Sequence, residues 1–271
     1  MGERKPLEDL TLMDDYMFYA VMNNNKNLLI KLLQCILDIT IIDLDYSKGQ
    51  ETVKDGYDSR GVRLDVFARD ENDRWYNIEV QTTDKKDIPE RSRYNQAVLD
   101  VDRLKPGDRF NELKECFVIF ITKFDTHGRD KKLYWFESRD RYEEDLLFGN
   151  GVNNVIVNVT GKNGKVSKDL AEVIEYLRTG ETSDDYTQEL DKEVKTVKRS
   201  DERKAEYMRY IRYEDELRLD ERLRTRAEAV MNLMDTMHLD VDTILENMKV
   251  KESDRPRIKE LIAEMMNEVP A

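Results

Sequence analysis

Cysteine, histidine and proline are scarce in this 271-residue chain, and long apolar runs are missing. The two cysteines, Cys35 and Cys116, each sit inside an apolar stretch, which suits reduced core thiols and not a disulfide scaffold. With only His127 and His238 to add, thiolate and imidazole ligands are too few for a zinc site of the usual kind. Nowhere does the chain sustain the roughly 18 apolar residues that a membrane-spanning helix needs, so no membrane partner is expected. The opening MGERKPLEDL has no apolar leader core, and Pro6 stands where a myristoylation signal carries Ser or Thr. A cytoplasmic protein is the expectation. Positive charge is in deficit too, with 45 Lys and Arg against 58 Asp and Glu, a net charge of −13. That balance excludes a protein that coats nucleic acid by bulk charge. Any DNA binding here has to use a local basic patch, a metal ion or a partner.

What the chain has in quantity is charge (38%) beside a normal apolar share (39%), enough for one sizeable core and an appendage. Residues 10–37 read as helical, with Asp14 or Asp15 as the cap and LLIKLLQCIL as a second helix after NNNKN. The period then changes to two. Strands are expected over 41–47 (with part of 51–57 as an extension), 63–70 and 75–82, the last two joined by the turn ENDR. A helix follows from Pro89, then the continuous apolar run CFVIFITKF (116–124), a central strand by composition. Residues 132–138 and 153–161 read as two more strands. The composition shifts after Ser167: a short helix over 168–178, a hinge at GETSDD, and a charge-laden helix or helix pair over 186–236. Two short helices close the chain, with Asp240 and Ser253 as cap candidates. Packing against the core or a partner is preferred to DNA reading for these. The fold class is therefore α/β or α+β, an α-β-β-β-α-β core over residues 1–166 with a mainly helical C-terminal region over 167–271.

RLDVFARDENDRWYNIEVQ (63–81) carries an acid on each of two strands, Asp65 and Glu79. Strand interiors disfavour acids, because burying an unpaired charge is costly. Alternation puts Asn77, Glu79 and Gln81 on one face, with Ile78 and Val80 on the other, and the hairpin brings Asp65 near Glu79. A solvated face is the plain reading, but such faces mix signs, and here two acids and an amide cluster. The chemical reading is a divalent-metal site, since Mg²⁺ takes hard oxygen ligands and keeps several waters. Asp65, Glu79 and the Val80 carbonyl would be the ligands, Gln81 would hold a water or a phosphate oxygen, and Asp15 could complete the acidic cluster.

LTLMDDYMF, RLDVFARDENDRWYNIEVQ, RSRYNQA and FVIFITKFD together resemble the PD-(D/E)XK nuclease family transposases, the recombination-promoting nuclease-like group, over residues 7–160. The resemblance implies a restriction-endonuclease-like core and Mg²⁺-dependent DNA endonuclease activity, with Mn²⁺ as a substitute, linked to recombination or element mobility. It makes Asp65 and Glu79 the metal ligands and sets Gln81 at the superfamily's lysine. Asp15 matches the acid of the family's first helix, and Arg91, Arg93 and Tyr94 match its post-hairpin helix. Neutral Gln81 cannot supply the full positive charge of that lysine. Lys85, Lys86, Arg91, Arg93 and Tyr94 are the candidates for DNA phosphate, with Arg103, Lys105 and Arg109 beyond. Asp84, Asp87 and Glu90 dilute that patch, and a solvated helix explains it as well. Two other readings stand: a catalytically weak or inactive relative acting in assembly, and an unrelated acidic binding module. A double-strand cut by one site per chain favours a symmetric homodimer.

Overall fold

The run Cys116–Thr122 is buried along its whole length. Only a strand with neighbours on both edges and layers on both faces accepts such a sequence. The computed structural model, which describes residues 4–46 and 66–268, places it in the middle of a six-stranded sheet. The strands are β1 (Leu44–Tyr46), β2 (Val66–Asp70), β3 (Trp75–Gln81), β4 (Cys116–Thr122), β5 (Leu133–Glu137) and β6 (Val152–Asn158), in the order β1-β2-β3-β4-β6-β5. Neighbours β3–β4 and β4–β6 run parallel, and the other pairs run antiparallel. Eight α-helices occur among the described residues: α1 (Asp15–Met22), α2 (Lys26–Leu37), α3 (Ile88–Arg103), α4 (Lys168–Thr179), α5 (Asp185–Arg199), α6 (Asp201–Met237), α7 (Val241–Asn247) and α8 (Arg255–Glu268). This is the α+β core with a helical C-terminal part that the sequence implies. The 51–57 stretch lies outside the described residues.

Register assigns the two faces. Tyr46, Ala68, Tyr76 and Phe117 are opposed in sequence across β1 to β4 and share one face. That face meets the N-terminal helices: α1 packs on β3, and the Tyr46 hydroxyl donates to the Met22 carbonyl at 2.6 Å. The other face carries Phe67, Trp75, Val118, Phe120 and Ile156, and packs on Ile88 and Leu99 of α3. Both cysteines are free and buried, and burial pushes the Cys35 thiol up to about 11 and the Cys116 thiol to about 12.

The described chain divides into two compact units between Tyr207 and Met208. The composition shifts at residue 167, but the first unit continues well past it. α4 buries Leu170, Val173, Ile174 and Leu177 and packs on α2, and α5 buries Leu190, Val194 and Val197. The Tyr186 hydroxyl of α5 donates to the Leu28 carbonyl of α2 at 2.8 Å. The long charged stretch is a helix pair broken at Ser200, whose backbone is extended and whose hydroxyl accepts from the Arg203 N–H at 3.2 Å. In the second unit Leu223, Ala227 and Val230 of α6 form a core with Ile244 and Leu245 of α7 and Ile258, Leu261 and Ile262 of α8. Asp240 caps α7 as expected, accepting from the Thr243 N–H at 3.0 Å. Ser253 does not cap α8, because the helix starts at Arg255 and Asp254 takes the preceding position. No helix among the described residues is long and apolar enough to cross a membrane.

Candidate active site

β3 presents Asn77 and Glu79, both buried, and the half-buried Gln81 to the face covered by α3. A carboxylate near the middle of a sheet is stable only if its oxygens find donors and its charge a counterion. Both requirements are met here. The Gln81 amide Nε2 donates to Glu79 Oε1 at 2.6 Å, and the Arg91 guanidinium ion-pairs with the same oxygen. Asn95 Nδ2 approaches Glu79 Oε2 at 3.3 Å and Asn77 Oδ1 at 3.0 Å.

α3 supplies those partners from one stripe. Pro89 stands in its first turn, where a missing N–H costs nothing. Arg91, Ser92, Asn95 and Gln96 then recur at helical spacing on the side facing the sheet. Ser92 donates to Asn154 Oδ1 on β6, and Gln96 Nε2 bonds Asp100 at 3.1 Å. The face is thus polar toward the C-terminal end of β3 and apolar beyond it, where Leu99, Trp75 and Cys116 meet.

The expected residues distribute as follows. Asp65 lies outside the described residues, directly before Val66, which pairs with Ile78 in the hairpin. The Val80 side chain is buried on the opposite face. Its carbonyl is placed by alternation: Gln81 C=O accepts from Lys123 N–H of the β4 side at 3.0 Å, and Trp75 N–H donates to Glu115 C=O, so odd residues of β3 bond toward β4. The Val80 C=O therefore points toward β2. Asp15 opens α1, the helix that packs on β3, and is exposed. Asp14, at the N-cap position, turns its carboxylate back to accept from Thr11 N–H at 2.8 Å and to pair with Lys5 at 2.8 Å.

Among the phosphate candidates, Arg91 pairs with Glu79. Lys85 and Arg93 are exposed, Tyr94 is half-buried, and Lys86 takes a positive φ of 61° and pairs with Asp84. Arg103 is a packing residue and not part of a phosphate collar. It lies 5.4 Å over the Trp75 ring and donates to the Lys114 carbonyl at 3.2 Å. Asn95, which contacts both Glu79 and Asn77, is the residue of this cluster that sequence reading passed over. Its position four after Arg91, one helical turn, was the available signal.

Among the described residues no three of His, Cys, Asp and Glu converge on a point. The described part of the site offers oxygen and amide donors around one carboxylate, with neither sulfur nor imidazole. That chemistry fits a hard divalent cation.

A family model described as PD-(D/E)XK nuclease family transposase matches residues 12–207. Neither the search of curated proteins nor that of solved structures returned a match. The matched span contains the whole sheet, α1 to α5 and Glu79, and it ends at the residue that closes the first unit. This chain belongs to the PD-(D/E)XK nuclease family transposases.

Proposed function

We propose that the protein is a divalent-metal-dependent DNA endonuclease that hydrolyses phosphodiester bonds in recombination or element mobility, in the cytoplasm. The observation that carries this reading is Glu79. A carboxylate held by three donors inside a sheet costs more to bury than an apolar residue of similar size, so fold stability alone does not account for it. In a nuclease family, a metal-binding role does.

Asp65, Glu79 and the Val80 carbonyl are the hard-oxygen donors we assign to Mg²⁺ or Mn²⁺, with Asp15 as an accessory acid. When bound, such an ion lowers the pKa of water and offsets charge developing on phosphate oxygens. The remaining work falls to the chain. Asn95 and Asn77 fix the Glu79 rotamer, so its oxygens are held in place before substrate arrives. Gln81 carries both a donor and an acceptor and orients the attacking water through its amide. Arg91 supplies the positive charge that Gln81 lacks, from the helix and not from the strand. Lys85 and Arg93, exposed and without an ion-pair partner among the described residues, with Lys86 and Tyr94, guide the DNA backbone.

The alternative of an inactive relative has one observation in its favour: Arg91 supplies Glu79 with a counterion from within the chain. The two readings separate in one experiment. Purified protein with Mg²⁺ or Mn²⁺ nicks or linearises plasmid DNA, and Glu79→Gln and Asp65→Asn each abolish cleavage. Equal cleavage by Glu79→Gln overturns the assignment. Metal binding detected by calorimetry without cleavage of any DNA selects the inactive relative.

A further inference from the structure

The connection from β5 to β6 is a built element. Residues 138–148 fold back as an antiparallel arm, with Phe148 N–H donating to Ser138 C=O and Asp140 N–H to Leu146 C=O, both at 2.9 Å. Its tip is set by the Asp140 carboxylate, which accepts from the N–H groups of Tyr142 at 2.7 Å and Glu143 at 2.9 Å. Arg139 fastens the base, pairing with Glu137 at 2.8 Å and donating to the Glu144 carbonyl at 2.9 Å. An arm this well ordered is pre-organised for contact.

It nevertheless leaves its large apolar side chains in water. Tyr142 is 89% exposed, Phe148 77%, Leu146 53% and Leu147 48%. Together they present on the order of 500 Å² of side-chain surface. One partner in a standard protein interface contributes about 800 Å², a little over half of it apolar. The arm alone meets that apolar requirement. It extends from β5, the terminal strand of the sheet, whose outer backbone edge has no neighbouring strand among the described residues. An unblunted edge beside exposed apolar residues is a site for pairing.

The charges identify the occupant. Arg141, Glu143, Glu144 and Asp145 have no ion-pair partner among the described residues, although both signs lie within five positions. The arm's acids outnumber its arginines, which rejects nucleic acid and an anionic membrane surface. A two-fold axis through the arm reverses its direction and sets Arg141 of one copy against the acidic run of the other, with the apolar residues between. We infer that the arm 138–148 is an isologous dimer interface and that its occupant is a second copy of this chain.

The test uses the full chain in sedimentation velocity and light scattering at micromolar concentrations. The wild type is a dimer. Tyr142→Ser with Phe148→Ser yields monomers with an unchanged circular dichroism spectrum, because neither residue is in the core. Arg141→Glu alone, or Glu143→Arg with Glu144→Arg, raises the dimer Kd at least tenfold, and combining the three restores it to within a few-fold. A wild-type monomer at tens of micromolar, a dimer indifferent to arm substitutions, or no rescue in the triple variant overturns the inference. None of these readouts depends on nuclease activity.

Discussion

The Arg91 guanidinium, in the first turns of α3, sits on Oε1 of Glu79, the buried acid of β3. The helix thereby supplies a cation to a carboxylate on the adjacent strand. Removing one partner of such a pair leaves a charge buried and uncompensated, typically a loss of several kcal/mol. Arg91 is partly exposed, so water takes up some of that cost. Arg91→Ala is expected to lower unfolding free energy by about 2 kcal/mol in metal-free buffer, measured by urea titration. Mn²⁺ restores the lost compensation, so the rise in melting temperature with Mn²⁺ is larger for Arg91→Ala than for wild type. An equal rise in both would show that Arg91 and the metal do not answer the same charge.

Gln81 donates to Glu79 at 2.6 Å and is the position where a superfamily lysine is expected from the sequence. If its polar head orients water at the reacting phosphate, shape alone cannot replace it. Gln81→Met keeps length and removes the head, and is expected to reduce the DNA cleavage rate at least tenfold. Gln81→Lys returns a donor with full charge and is expected to match or exceed wild-type cleavage. Plasmid nicking rates for the three proteins decide this.

Much of the core could be read from residue patterns because its strands are locally self-consistent. β4 is continuous and apolar, and β3 alternates cleanly, so both emerge within a few residues of their positions. β1 begins later than the apolar run suggests, because the N–H groups of Ile42 and Asp43 bond the Glu71 carboxylate at 3.2 Å and not a neighbouring strand. That bond joins residues far apart in sequence, so no local pattern announces it. The same limit applies to the site. Glu79 was recognisable as an acid on a polar strand face, but its contacts with Asn95 and Arg91 require knowing that α3 covers that face. The break at Ser200 has neither Gly nor Pro, and a serine that ends one helix while accepting from the first turn of the next leaves little trace in periodicity.

The β2–β3 hairpin that carries Glu79 is pinned at its turn by Asp70, whose side chain is fully buried. Its carboxylate accepts from Arg74 Nε at 2.6 Å, from the Tyr76 hydroxyl at 2.8 Å, and from the N–H groups of Asn72 and Arg74 at 2.9 Å. Asp70→Ala strips four donors of their acceptor at once. A loss of about 3 kcal/mol in urea unfolding is expected. Asp70→Asn keeps the shape and part of the bonding, and its loss is expected to be smaller. Equal losses would mean that shape and neutral hydrogen bonding contribute nothing and that the charge carries the whole effect.

Asp14 gives the N-terminal segment a pH dependence. Burial raises its pKa, but the hydrogen bonds from Lys5 and from the Thr11 backbone and hydroxyl outweigh that, and the carboxyl titrates below the ordinary aspartate range. A carboxylate whose folded pKa lies below its unfolded value stabilises the fold above the unfolded pKa, about 4. That contribution is lost as pH falls through the folded value. Asp14→Asn should therefore be less stable than wild type at pH 7, by on the order of 1 kcal/mol after allowing for solvent around the Lys5 ammonium. The gap should narrow as pH drops below about 4 and close once the wild-type group is protonated. Melting curves of both proteins from pH 7 downward test the sign directly: a gap that widens in acid would mean that Asp14 is held in its neutral form.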